Sequence, residues 1–348
     1  MCKKPNNCLA LIFFVVLFYN NSFTQLRWLI SPETGYFNSI ETTFINQNDL
    51  FARINAELNY KSEIDNKKFL LSIRARPELY GIEEQFRALR LGFNAGYTQE
   101  SETYNWAINS TFKKQFFDSR GFRYSSDVLV LGFGLGTTFY DLLPVDFSAG
   151  YATQNISIGN LYEVDMLFGE INSYTNIFSN LNMVYGIYLE SFFINNKQNT
   201  NYSYSPNRNK GWRYGVKTSF KYVKSLIAAI DYRFVNHQSE LTRSFSYEHW
   251  MRIILGKLVD ENISVFILGD LFIRKLLPSG NFENTDLIML YLPLELENRL
   301  HLKISYSIKA GINLFTKGGY FREDFSTADY SLSTWFLSLG IEISNDDF

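Results

Sequence analysis

The sequence predicts an all-β fold: a single antiparallel up-and-down β-barrel that crosses a membrane with sixteen strands, or with fourteen. Three observations predict it. Long runs alternate apolar with polar residues, the connectors between them come in two unequal sizes, and an N-terminal export segment precedes a chain without cysteine. The composition agrees. In 348 residues there are 32 Phe, 23 Tyr and 5 Trp, too aromatic for a disordered chain and well suited to pleated surfaces. The formal charge of −2 gives no reason to expect a nucleic-acid partner.

The export segment comes first. Lys3 and Lys4 precede the purely apolar run LALIFFVVLF at 9–18, and Ser22 and Thr24 place small residues at −3 and −1 before Gln25. This is the layout of a signal peptide over 1–24, with the barrel over 25–348. Ten apolar residues fall short of the roughly 20 that a spanning helix needs. Cys2 and Cys8 both lie in this segment, and neither follows a Leu-x-x triplet at the end of the apolar run, so a lipid anchor is not expected. A chain from Gln25 onward has no disulfide and no thiolate metal site. Its histidines, His237, His249 and His301, show no metal-ligand spacing, so no metal or other cofactor is expected.

The strands follow in order. Residues 36–44 supply a first one. In 52–60, Ala52, Ile54, Ala56, Leu58 and Tyr60 alternate with Arg53, Asn55, Glu57 and Asn59. Less regular or interrupted runs occur at 69–76, 104–113, 128–139, 145–154, 162–171 and 181–193. Residues 89–97 set Leu89, Leu91, Phe93, Ala95 and Tyr97 against Arg90, Gly92, Asn94 and Gly96. Residues 212–222 and 226–234 repeat the pattern, then 245–258, 263–274 and 287–296. Residues 300–314 alternate for fifteen positions without a break, and 332–343 closes the series. Period two marks a sheet with two unlike faces.

Connectors decide what kind of sheet it is. DLLP at 141–144, KS at 224–225, DEN at 260–262 and EN at 297–298 are short, whereas 195–210, 277–285 and 316–330 are long and polar. Strands of nine to fifteen residues exceed the roughly 5–6 usual in sandwiches and match the roughly 9–11 that cross a bilayer. In hydrocarbon no backbone group can stay unpaired, so such a sheet closes on itself. With both termini at one end the number of strands is even. Counting 36–44 gives sixteen, and reading 162–171 as a loop gives fourteen.

With these features the chain resembles the Gram-negative outer-membrane β-barrel superfamily. The last strand, STWFLSLGIEI (333–343), alternates Trp335, Leu337, Leu339, Ile341 and Ile343, and the chain ends on Phe348, four residues after Ser344 and out of phase with that outward set. The resemblance implies residence in the cell outer membrane, contact with outer-membrane lipid, and assembly by the barrel-assembly machinery through the C-terminal strand.

On this register the inner face carries Arg53, Arg74, Arg76, Arg90, Lys113, Arg213, Lys217, Lys221, Arg233, Arg274, Lys303 and Lys309, against Glu57, Asp146, Glu190, Asp231, Asp270 and Glu342. A cation-rich lumen points to a porin-like channel for small polar or anionic solutes, as rings of Arg and Lys make in anion pores. The competing expectation is that these charges pair across strands in a barrel that conducts nothing and serves as a scaffold or as an assembly or secretion partner. A third, lipid-modifying catalysis, has little local support and no enzyme is expected. Ser246 and Glu248 fall on the face opposite His249, which reads as an interfacial residue beside an aromatic belt at Tyr247 and Trp250. GFGLG at 132–136 lacks nucleotide-loop spacing, and its three glycines share the inner face, where they leave room for close packing.

Overall fold

The computed structural model describes residues 24–41, 48–81, 86–119, 122–139, 143–158, 160–196, 208–243, 246–279, 298–324 and 331–345. The expected signal peptide, apart from Thr24, and Phe348 lie outside them. Sixteen strands form one sheet. β1 (Thr24–Glu41), β2 (Asn48–Ile64), β3 (Lys67–Tyr80) and β4 (Phe86–Glu100) are followed by β5 (Tyr104–Ser119), β6 (Phe122–Phe139), β7 (Leu143–Ile158) and β8 (Asn160–Phe178). Then come β9 (Leu181–Asn196), β10 (Arg208–Val223), β11 (Ile227–Ser239) and β12 (Ser246–Leu258). The last four are β13 (Ile263–Lys275), β14 (Asn298–Lys309), β15 (Ile312–Asp324) and β16 (Ser331–Ser344). Each strand pairs antiparallel with its chain neighbours, and β16 pairs with β1 to close the barrel. Closure removes every sheet edge.

Both β1 and β16 have their outer ends at one rim. There the seven connections are two to four residues long, and the longest connections lie at the other rim, where β5–β6 and β7–β8 are nonetheless joined by two residues and one. Asp65 and Gly311 take left-handed backbone angles (φ 50° and 76°) in two of the tight turns.

Two expectations are corrected, one strand and one loop. The run 300–314 is not one strand, because residues 310–311 form a two-residue turn between β14 and β15. Tyr306 pairs with Leu314 and Ile304 with Thr316, so even-numbered residues face outward on both strands and the alternation reads straight through the turn. The stretch 316–330, expected as a loop, is β15 as far as Asp324. The expected strand 287–296 and the Glu297 end of the EN turn lie outside the described residues, and β13 pairs directly with β14. Residues 162–171 belong to β8, and the first strand starts at Thr24, well before residue 36.

The outer face is apolar over a continuous band. Trp28, Leu131, Phe133, Trp212 and Tyr214 point outward, as do Leu337 and Leu339, which are 62% and 64% exposed. With strands of twelve to nineteen residues, longer than a bilayer requires, the wall continues beyond this band. Toward the long-connection rim of β5 to β8 its polarity reverses. Lys114 pairs with Asp127 at 2.9 Å and Arg123 with Asp118 at 3.1 Å on the outside. Inside, Tyr124, Ile156, Tyr162, Val164 and Met166 are buried.

The inner glycines allow close approach, as GFGLG suggested. A Cβ at Gly132 would strike the Asn109 amide, and one at Gly136 the side chains of Asn105 and Asp146. Gly215 is the severest case, since a Cβ there falls on the main-chain carbonyl of Phe234 in β11, whereas one at Gly96 meets nothing within 4 Å. Gly215→Ala therefore lowers the stability of the folded barrel by about 1–3 kcal/mol or more, and Gly96→Ala does not. Urea unfolding in lipid vesicles measures both, and equal midpoints for the two variants would contradict this packing.

Two prolines interrupt the wall. Pairing of β1 with β16 lapses between Ile30 and Glu33, at Pro32, and pairing of β2 with β3 lapses between Arg53 and Ala56, opposite Pro77. Proline has no N–H to give to a ladder. A groove of about 630 Å³, lined by Pro32, Ala52, Ile54, Pro77, Leu79 and Leu339 among others, lies at this place.

Candidate functional site: the inner wall

The alternation that turns apolar side chains outward turns the intervening polar ones into the lumen, where strands that are not neighbours face each other. Arg233 on β11 reaches Glu170 on β8 at 2.8 Å, across two strands. Lys317 on β15 reaches Glu33 on β1 at 3.1 Å, past β16. Side chains from non-adjacent strands meet this way on the concave side of the cylinder.

These contacts form a belt with a repeated unit, one carboxylate clamped by two cations. Glu33 holds Arg53 (2.8 Å) and Lys317. Glu78 holds Arg76 and Arg90 (3.3 Å) and accepts a hydrogen bond from the Tyr80 hydroxyl at 2.7 Å. Glu170 holds Lys217 and Arg233. Glu248 holds Arg213 and Arg274 (3.5 Å), and Asp270 holds Arg252 (2.7 Å) and Arg299 (2.8 Å). Arg213 also pairs with Glu190 at 2.9 Å, and these two with Glu248 are almost completely buried. Aromatic faces complete the belt: the Arg233 guanidinium lies 4.5 Å from the Tyr188 ring and 5.5 Å from that of Trp250.

The cations read from the sequence thus have definite positions. Arg53, Arg76, Arg90, Arg213, Lys217, Arg233 and Arg274 sit in the belt. Lys303 pairs with Glu342, and Arg74 with Glu57 at 3.1 Å toward the short-turn end. Lys113 lies on the inner face of β5. Lys221 and Lys309, close to the short-turn rim, have no ion pair among the described residues, and Lys309 ends β14 at the turn.

Several belt members escaped the sequence reading. Glu33 lies ahead of the expected first strand, Glu78 follows Pro77 just past the expected end of its strand, and Lys317 falls in the stretch expected as a loop. Arg252 and Glu248 share one face of β12, and Arg299 is in phase with His301 and Lys303, so extending the alternation would have found all three. Trp250 is corrected as well. It lies among arginines on the inner wall, not in an outer aromatic belt. His249 does face outward, with its ring nitrogen 2.8 Å from the Tyr232 hydroxyl, while the Ser246 hydroxyl donates inside to the Arg243 carbonyl.

Above the belt, toward the long-connection rim, the inner wall is mostly apolar, with Gln154 hydrogen-bonded to Ser126 at 2.6 Å and His237 packed 5.2 Å from the Phe192 ring among the apolar side chains. Phe37, Phe51, Tyr80, Phe117, Val164, Phe192 and Ile194 belong to one buried cluster, with Phe336 packed against it. Phe37 and Val164 are each 1% exposed. The Tyr80 ring lies 5.7 Å from Phe37 and 5.8 Å from Phe51. A wall lining a water-filled passage would leave such side chains accessible. Below the belt, Arg74 and Lys221 are well exposed, so the short-turn half of the lumen is wet.

A closed barrel with an apolar outer band, a charged inner wall and no free edge is a transmembrane β-barrel of the outer-membrane type, and the outer membrane is its location. No protein-family model and no curated protein matches the chain. Among solved structures it is similar in fold to CdiB from Acinetobacter baumannii (7% identity, TM-score 0.49), over 92% of this chain and 60% of CdiB's length. It is also similar to OccAB4 of Acinetobacter baumannii (10% identity, TM-score 0.42, 94% of this chain and 99% of that one). A further likeness is to the deltaS2S3 mutant of the monoaromatic hydrocarbon channel TodX (9% identity, TM-score 0.41, 95% and 92%).

Proposed function

We propose that this outer-membrane barrel is closed to through-passage at rest and serves as a non-conducting scaffold that presents a wet, charged vestibule at its short-turn end. The observation that carries the reading is the buried apolar cluster on the inner wall at the opposite end. A constriction with a largely apolar lining sheds water readily, and ions cross it poorly. The paired belt supports the same reading, because pairing of opposite charges across strands fills the interior.

A second reading is supported by a specific observation. Each clamped carboxylate takes two cations, so pairing satisfies the anions and leaves the belt net positive. A porin-like passage for small polar or anionic solutes would use that charge once the apolar layer was displaced. Single-channel recording in a planar bilayer separates the two. A folded, inserted barrel that passes no steady current is the expected result, and stable conductance steps in the unmodified protein would overturn the closed reading in favour of the channel.

A further inference from the structure

Three of the clamps face one space. A cavity of about 160 Å³ in the lumen is lined by Arg53, Arg76, Arg90, Arg299 and Lys317, together with His301, Asn55, Tyr80 and Phe336. These five cations come from the Glu33, Glu78 and Asp270 clamps, whose carboxylates do not line the cavity. With Arg252, which also holds Asp270, three carboxylates stand against six cations among the described residues, a formal surplus of three positive charges in that set. Four of the lining groups are guanidiniums, whose planar forks match the oxygens of tetrahedral and carboxylate anions. Tyr80 and Phe336 cover the long-connection side with the apolar layer, which keeps the local dielectric low and strengthens every charge contact.

We propose that this cavity is a binding site for one small divalent oxyanion, phosphate or sulfate, entering from the short-turn side. The size excludes anything much larger, and the charge surplus favours a dianion over chloride. The proposal does not rest on the barrel being closed. An open pore could hold the same site, and a closed barrel could lack it, so this experiment and the current recordings fail separately.

The test uses the full barrel folded in detergent micelles, titrated calorimetrically with inorganic phosphate and, separately, with sulfate and chloride at low ionic strength. Retained heat-modifiable mobility on gels reports folding. One saturable phosphate or sulfate site per chain is expected, with chloride at least 10-fold weaker. Arg299→Gln and Lys317→Gln each weaken binding at least 10-fold, and Lys221→Gln, an exposed inner-wall residue outside the cavity, leaves it unchanged. If Lys317→Gln does not fold, Arg299→Gln decides alone, since its side chain is partly exposed and shares Asp270 with Arg252. Absence of saturable binding overturns the proposal, and so does an equal loss in Lys221→Gln, which would mark a diffuse positive field instead of a site.

Discussion

Arg213→Met destabilises the barrel by about 3–5 kcal/mol, the range for removing one member of a buried ion pair. Arg213 is 3% exposed and its carboxylates Glu190 and Glu248 are 2% exposed each, so no solvent replaces the lost guanidinium. The two carboxylates are not left equally badly off. Glu248 keeps Arg274 at 3.5 Å, whereas among the described residues Glu190 keeps the Tyr188 hydroxyl alone. Most of the loss therefore comes from Glu190, and the double variant Arg213→Met/Glu190→Gln recovers more than half of it. Urea unfolding in lipid vesicles gives both values. A single variant within 1 kcal/mol of wild type would mean that the clamp is solvated, and a double variant no better than the single would assign the cost to lost packing instead of stranded charge.

Wetting the apolar layer opens the barrel. Phe51 and Tyr80 stack at 5.8 Å in the layer, directly beside the belt, with the Arg53 guanidinium 5.4 Å from the Phe51 ring. Replacing both rings with threonine keeps residues that suit a strand, removes two large apolar faces and supplies hydroxyls for water. In planar bilayers Phe51→Thr/Tyr80→Thr shows resolved conductance steps where the parent shows none. The reversal potential in a salt gradient favours anions, because Arg53, Arg76 and Arg90 then border the path. A folded double variant that stays silent would show that these rings are not the barrier, and a cation-selective current would contradict the net positive belt.

The architecture was legible from period-two alternation because most strands keep one polarity on each face. Where the faces exchange polarity, legibility ended. On β8, Tyr162, Val164 and Met166 point inward beside outward Glu163 and Asp165, while further along Leu167 and Ile171 point outward beside inward Glu170 and Asn172. The two halves cancel in any simple count, which is why this strand read poorly and why the apolar layer was invisible. The turn at 310–311 hid for the opposite reason, since parity is conserved across it. The clamps could not be read at all from sequence distance. Glu170 and Arg233 are 63 positions apart, and they meet only because a closed sheet brings β8 and β11 to face each other.

The interruptions at Pro32 and Pro77 give the cylinder a direction of compliance. They flank one hairpin, β1–β2, on its two outer sides, whereas the ladders joining β4 through β8 run without a missing pair. Lateral pressure from the surrounding bilayer is therefore not shared equally among the staves. The unbroken β4–β8 side resists bending more than the hairpin, which lies beside the outer groove. The Glu33–Arg53 clamp, seated on the inner side of that hairpin, lies between the two interruptions and ties β1 to β2 where their outer ladders are broken.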